Sequence, residues 1–477
     1  MLKFVRFAWI AVLMAFGTAQ HAAAQTAEAV VAEASRAMGI EGLNSIKIYG
    51  SGATFTVGQN NNANGPWPRN NLNDFVRWID FTQPATRATA VTWAVPVTGG
   101  AAAQGAFNQY AGPTSPWGFL KGAQANGATL GSALVGPTMY RTLTWSPPQK
   151  SPGGQPYKVV GYIGEEDNLV HRVETWVEAP IFGDLHVETV FRNYRELNGL
   201  KFPSTIVQSR GGWPAFEAQL LGVQANPADI AERAVAPPPF VPPAPPPAVP
   251  GAAPPPASEQ LAPGVWRIRG AYNALAVEFS DHIVLFEPGP QNEDRARAII
   301  AETKRVIPNK PIRYGVISHH HADHTGGIAA VVAEGITIVT PKVNEAFLER
   351  ALGAPRTLAP DAIAQSGKRP EVEGFEGDKR VFQDATRTFE IHVIKGLPHA
   401  DGLVVGYLPA EKILVYADMF NLPPADNPVP NPPVVGTGVF LDNIERLGLQ
   451  PERIMSIHSL NPDRLTSVAD IRASLGR

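Results

Sequence analysis

The chain has 477 residues, 44% of them hydrophobic and 17% charged, with a formal net charge of -3. That length allows two or three domains with a sizeable core, and so small a charge gives no electrostatic basis for binding nucleic acid or an anionic membrane surface. Cysteine is absent, which excludes disulfides, thiolate metal sites and a lipid-modified N-terminal cysteine.

The N-terminus reads MLKFVRFAWIAVLMAFGTAQHAAAQ. Lys3 and Arg6 precede a short apolar run, Phe7 to Phe16, and Ala22-Ala23-Ala24 offers small residues for cleavage. Residues 1–24 therefore read as a secretory signal peptide. The run is shorter than the roughly 20 residues that span a bilayer, so the mature protein is expected to be periplasmic or secreted, without a membrane span. Residues 26–236 read as a mainly β accessory domain. Alanines and apolar residues at helical spacing predict a helix over Glu28–Met38. Ser45–Gly58 alternates as a strand does, and Gln59–Asn71 is a turn-rich loop. YKVVGYI, HRVETWVEA, HVETVFRNYREL and KFPSTIVQSR read as further strands. In the second of these, Val173, Thr175 and Val177 alternate with Glu174, Trp176 and Glu178, as in a sheet with one buried face. Residues 97–136 are Gly- and Ala-rich and show no legible pattern. His171 and His186 fall among the strands and read as structural or surface residues.

Residues 237–257 are a proline-rich linker: PPPFVPPAPPPAVPGAAPPP lacks most amide donors and has fixed φ, which favours an extended polyproline II spacer. Beyond it, over residues 258–477, strands alternate with helices as in an α/β layer fold. VWRIRG, ALAVEFS, HIVLFEPG and PIRYGVIS read as strands, with an amphipathic helix at Arg295–Ile307. ITIVT, FEIHVI, LVVGYLP, ILVYAD and IMSIH follow as strands.

The strand PIRYGVIS runs straight into SHHHADHTGG, which holds four of the chain's eleven histidines. Clustered imidazoles repel when protonated and lose hydration when buried, and a metal ion is the usual compensation. His319, His321, Asp323 and His324 form H-x-H-x-D-H. Residues i and i+2 of an extended segment project the same way, so His319 and His321 can face one ion while Asp323 and His324 turn toward another. Gly326 and Gly327 permit backbone that a β-carbon would hinder. His399, Asp418 and His458 each stand at or just past the end of an expected strand, where α/β folds collect their functional groups. Imidazole and carboxylate donors suit zinc. His320 is expected to face away from the metals, and His282 and His392 to lie in strands as core or surface residues.

With these motifs, residues from about 261 to 477 resemble the metallo-β-lactamase fold superfamily, and the order of ligands resembles its dinuclear hydrolases of the glyoxalase II type. The resemblance implies an α/β fold, a four-layer αββα sandwich. It implies two Zn2+ ions, with other divalent metals possible: His319, His321 and His399 at the first, Asp323, His324 and His458 at the second, and Asp418 bridging. Asp323 is the implied catalytic residue, both ligating and holding a nucleophilic hydroxide. The aspartate that many family members carry in the strand near VLFEPG is here Glu287, which leaves that position's supporting role open. Asp418, in place of the cysteine or serine of dedicated β-lactamases, and His321, in place of the glutamate of the di-iron branch, point to a metal-dependent hydrolase of a small-molecule ester, thioester or lactone. A β-lactam hydrolase and an alkyl sulfatase are the enzymatic alternatives. The N-terminal region resembles the antiparallel half-barrel of periplasmic lipoprotein carriers, on its leading helix and the stretch NYRELNGLKFPSTIV, and a non-catalytic binding protein is the alternative of another class. The proline-dense loop Asn421–Gly438, directly after Asp418, reads equally as a pocket wall or as a plain connector. Oligomeric state has no sequence signal.

Overall fold

The computed structural model describes residues 25–82, 114–234 and 257–477, together with the backbone of 85–94. The expected signal peptide and nearly all of the proline-rich linker lie outside the described residues. No helix among the described residues is long and apolar enough to cross a membrane.

The N-terminal part is one ten-stranded antiparallel sheet. Its first three strands, Ser45–Phe55, Arg69–Asp80 and Ala85–Ala94, run outward to one edge, and the remainder return as a meander from Trp213–Ala225 to Thr129–Val135. Two helices cover one face. Ala27–Met38 begins at Thr26, whose side chain accepts the Ala29 amide, and ends at Gly39 with φ of 68°, the left-handed conformation that glycine adopts at least cost. Pro116–Asn126 begins at Ser115 with a proline in its first turn, a favoured opening. Val30, Val31, Ala34 and Met38 of the first helix and Trp117, Phe119 and Leu120 of the second pack with Ile46, Ile48, Phe75, Val173, Phe191 and Ile206 of the sheet. Trp117 is fully buried, and its indole N–H donates to the Lys201 carbonyl at 3.0 Å. Trp117→Ala should destabilise the N-terminal domain by about 3–5 kcal/mol, the usual cost of an aromatic-sized cavity, read from the denaturant unfolding of that domain. A loss below about 1 kcal/mol would show that the helix is not part of the core.

Most of the expected strands form, and Val173, Thr175 and Val177 do face the core. Two expectations change. The turn-rich loop ends at Pro68, because Arg69–Asn71 already pair with Thr54, Phe55 and Ala53. The described part of the Gly- and Ala-rich stretch, left unassigned above, holds the Pro116–Asn126 helix and the Thr129–Val135 strand.

The C-terminal part has two sheets. The first orders seven strands from Ser258–Ala262 to Val372–Phe375, antiparallel up to Ile283–Phe286 and parallel from there through Ile312–Val316 and Thr337–Pro341. The second orders five, from Lys379–Gln383 to Arg453–Ser456, with a single parallel pair at its end. Inward side chains of both sheets, among them Val277, Phe286, Val316, Phe389, Val404 and Val415, share one core. Helices Glu293–Val306, Ile328–Glu334 and Lys342–Gly353 cover the outer face of the first sheet, and Val435–Arg446 with Val468–Ser474 covers that of the second. The result is the expected αββα sandwich, with a mainly β domain preceding it.

Among the described residues the two parts touch along three segments, one of them the Gly153 turn, whose amide donates to the Leu358 carbonyl at 2.6 Å. The turn at Ile181–Asp184 docks on residues 347–358: Asp184 accepts the Thr357 and Leu358 amides at 2.9 Å each, and Phe182 meets Phe347 edge-on. The loop after Phe55 reaches the histidine-rich segment, described next.

Candidate metal centre

The site gathers at one end of the sandwich, where strands of both sheets finish. His319 to His321 follow Ile312–Val316, and His321 opens a one-turn helix, Ala322–Thr325, that carries Asp323 and His324. The glycines that follow matter through close approach: a β-carbon on Gly326 would sit 2.2 Å from the Gln291 carbonyl oxygen, and one on Gly327 2.3 Å from that of Asn292. His399 lies in the loop between Thr388–Val393 and Val404–Leu408. Asp418 follows Ile413–Tyr416, and His458 follows Arg453–Ser456.

All seven residues named from the sequence converge. They form three overlapping groups, His319/His321/His399, Asp323/His324/His458 and His319/His324/Asp418, whose donor atoms lie within 4.8 Å of one another in each. The Nε2 atoms of His319 and His399 are 3.2 Å apart, and those of His324 and His458 are 3.3 Å apart. Tetrahedral donors with metal–nitrogen bonds near 2.0–2.1 Å stand about 3.3 Å from each other, so the spacing is that of a coordination shell. Asp418 lies between the groups. Its Oδ2 is 2.8 Å from His324 Nε2, 3.5 Å from His319 Nε2 and 3.7 Å from His399 Nε2, while Oδ1 is 2.9 Å from His458 Nε2. Oδ2 is buried and makes no hydrogen bond of proper geometry, although imidazoles surround it. Lone pairs that face one another in this way are what a cation between them resolves.

The surrounding hydrogen bonds set the ring protons. His321 Nε2 lies 3.0 Å from the Asn60 carbonyl oxygen, which can only accept, so the proton is on Nε2 and the buried, unpartnered Nδ1 keeps its lone pair for a metal. Glu287 Oε1 is 2.6 Å from His324 Nδ1, and its Oε2 accepts the Ser318 amide at 3.1 Å. Glu287 thus fills the supporting role that the sequence left open. It and Asp418 are held at φ of 64° and 58°, a left-handed conformation that costs a non-glycine residue about 1–2 kcal/mol and that collects at functional sites. Tyr272, absent from the sequence reading, donates its hydroxyl to Asp323 Oδ2 at 2.9 Å and packs its ring 4.3 Å from that of His458. Gln59, also unforeseen, donates Nε2 to Asp323 Oδ1 at 3.0 Å. Both act across long sequence separations, where no local motif marks them.

His320 turns away as expected: its Nε2 meets the Asn60 carbonyl at 2.8 Å and its ring packs on Phe347. His171, His186, His282 and His392 each sit beside a carboxylate, Asp167, Glu174, Asp281 and Glu390 respectively, and none joins the centre.

Burial and neighbouring histidines hold His321 down to about 2 and keep His319 well below the usual imidazole range. His324 is the exception. Burial opposes its charge, but Asp418 and Glu287 raise it well above the ordinary value. Burial alone would raise the Asp323 carboxyl, yet hydrogen bonds from His324 and Gln59 bring it below its usual range. The metal-free centre therefore keeps a proton on His324, while His319 and His321 are already neutral. Metal entering the Asp323/His324/His458 group displaces that proton, so its apparent affinity should rise about tenfold per pH unit while His324 is charged in the metal-free protein. Calorimetric titration in buffers of different ionisation enthalpy reads the released proton, and pH-independent uptake would contradict the assignment.

A sequence profile described as the metallo-beta-lactamase superfamily matches residues 267–458. Among curated proteins, the chain is 24% identical over 179 residues to "2,4-dinitroanisole O-demethylase subunit alpha" of Nocardioides sp. (strain JS1661), covering 36% of this chain and 49% of that protein. The match thus spans about half the length of that relative. Among solved structures, a metallo-beta-lactamase from Pontibacter korlensis is 18% identical, covering 46% of this chain and 96% of its own, with a TM-score of 0.34. A metallo-beta-lactamase from Erythrobacter litoralis is 19% identical, covering 46% and 94%, with a TM-score of 0.32. Over residues 267–458, then, the C-terminal part is similar to the metallo-beta-lactamase superfamily.

Proposed function

We propose that this protein is an exported dinuclear zinc hydrolase of an ester, thioester or lactone, with the ligand set of the glyoxalase II type. The observation that carries the reading is Asp418, whose two oxygens reach imidazoles of both ligand triads. A carboxylate so placed suits a shared pair of ions, whereas a structural zinc takes one closed tetrahedral shell. Bound there, two zinc ions would lower the pKa of a shared water and polarise the carbonyl under attack. His319, His321 and His399 would hold the first, Asp323, His324 and His458 the second, and Asp418 both. The chain's own contribution is orientation. Glu287 aims His324, Asn60 aims His321, and Tyr272 with Gln59 clamps Asp323 at both oxygens. Asp323, kept ionised by the hydrogen bonds it accepts, would ligate the second ion and hold the nucleophilic water by accepting its hydrogen bond. The export reading rests on Lys3, Arg6 and the apolar run that follows them.

The test is hydrolysis by the full mature chain, zinc-loaded, across aryl esters, thioesters, lactones, a β-lactam and an alkyl sulfate, with and without chelator. Turnover of an ester, thioester or lactone that vanishes on chelation and returns with zinc is the expected result. The name of the Nocardioides relative favours a second reading, cleavage of an activated aryl ether, so 2,4-dinitroanisole belongs in the panel. If no substrate turns over, the protein is a binding protein and the hydrolase reading is wrong.

A further inference from the structure

We infer that the Gly58–Asn64 loop of the N-terminal domain is part of the metal centre, where Asn60 and Gln59 position His321 and Asp323, one ligand in each triad. The inference rests on the two-triad reading above and goes beyond it, because it makes metal retention by one domain depend on the other.

The contacts fall on ligands themselves. Asn60 offers a main-chain carbonyl, which accepts from both His320 Nε2 and His321 Nε2. In the opposite tautomer, His321 would set a lone pair against that oxygen and point an N–H at the other imidazoles. The loop therefore selects the form that can coordinate through Nδ1. Gln59, only 1% exposed, presents its amide N–H to Asp323 Oδ1 while Tyr272 holds Oδ2. A carboxylate held at both oxygens cannot swing, so its coordinating lone pair is already aimed when an ion arrives.

The loop is built to hold this pose. Asn60 Nδ2 donates to the Asn62 and Gly65 carbonyls at 2.5 and 3.2 Å, which closes the turn. The Ala322 amide donates to the Gly58 carbonyl at 3.2 Å, next to Asp323. Gly58 has φ of 77° and leaves a β-carbon only 3.1 Å from Ala322 Cβ. On the other side of the centre, two residues past His399, Asp401 donates its amide to the Asn61 carbonyl at 2.6 Å and accepts from Asn62 Nδ2 at 3.1 Å. Asn64 ties the end of the loop to the Val343 carbonyl and Arg350. The strap runs from the segment carrying Asp323 to the segment carrying His399, so it fixes the separation of ligands from the two sheets.

The test compares the full chain with Gln59→Ala, Gln59→Glu and Asn60→Ala, measuring stepwise zinc affinity against a chromophoric chelator and thermal melting without metal. Gln59→Ala should weaken the Asp323 site about 10–100-fold, the usual cost of losing a partner of a metal ligand, and leave the other site and the metal-free melting temperature unchanged. Gln59→Glu, which sets one carboxylate against another, should weaken the same site further. Asn60→Ala, which loosens the carbonyl, should weaken the His321 site instead. Unchanged affinities in the Gln59 variants overturn the inference, as does an equal loss at both sites accompanied by a lower metal-free melting temperature, the signature of a purely structural strap. A wild-type chain that binds no zinc overturns the two-triad reading itself.

Discussion

Asp418→Asn is expected to lower kcat/KM by at least about 10³-fold, roughly 4 kcal/mol of transition-state stabilisation, and to leave no more than one metal per chain. Asparagine keeps the shape and tolerates the left-handed backbone at this position, φ of 58°, so the fold should survive. What it loses is the negative charge that faces His319, His324, His399 and His458. An amide cannot bridge two cations, and its NH2 would point donors at groups that need an acceptor. Asp418→Ala should show the same loss together with a modest drop in stability, because alanine in a left-handed conformation is strained. Steady-state kinetics beside metal analysis of the same preparation checks both. Two retained metals at full rate would refute the bridging role.

Glu287→Ala is expected to act on both stability and metal. Glu287 and His324 are fully buried and 2.6 Å apart, and Glu287 also accepts the Ser318 amide. Truncation leaves the buried Ser318 main-chain N–H without its acceptor and leaves His324 Nδ1 only the longer contact with Ser318 Oγ at 3.3 Å. Breaking a buried pair in this way costs about 3–5 kcal/mol, read from urea unfolding of the metal-free protein. It also frees the ring of His324 to turn, which should weaken the second metal about 10–100-fold. Glu287→Gln keeps an acceptor but loses the charge and should fall between. If unfolding and metal affinity are both unaffected, Glu287 does not support the site.

The parts of this architecture that were legible in the sequence are those encoded locally. H-x-H-x-D-H is a contiguous motif; Asp418 and His458 each follow a short apolar run read as a strand, and His399 follows the strand-like FEIHVI. The C-terminal sheets were readable because Ile283–Phe286, Val404–Leu408 and Ile413–Tyr416 are buried on both faces and so appear as continuous apolar stretches. The strand Arg69–Asp80 was missed for the opposite reason. Its buried residues are Leu72, Phe75, Trp78 and Ile79, and a register shift between Asn73 and Val76 breaks the period of two. Trp213–Ala225 carries a similar irregularity between Pro214 and Phe216, and leaves Leu221 75% exposed beside buried Leu220. The Pro116–Asn126 helix did carry a signal, a serine cap before a proline, hidden in a Gly- and Ala-rich context.

Of the supporting residues of the centre, the sequence marked only Glu287, and that through the resemblance with its role left open; Tyr272, Gln59 and Asn60 were not marked. Glu287 reaches His324 across 37 residues, Tyr272 reaches Asp323 across 51 and Gln59 reaches it across 264. Such contacts depend on how sheets and domains stack, and no spacing rule links them. Gln59 and Asn60 lie in a stretch of asparagines that reads as a plain loop, and only its docking against the Ala322 turn gives it a role.

Metal analysis of the full chain, purified with trace zinc and dialysed against metal-free buffer, tests the central claim most directly. Two zinc ions per chain in the wild type, falling to one or none in Asp418→Asn with unchanged secondary structure, is the predicted result. A chain that retains no metal, or a variant that still retains two, would contradict a dinuclear centre bridged by Asp418.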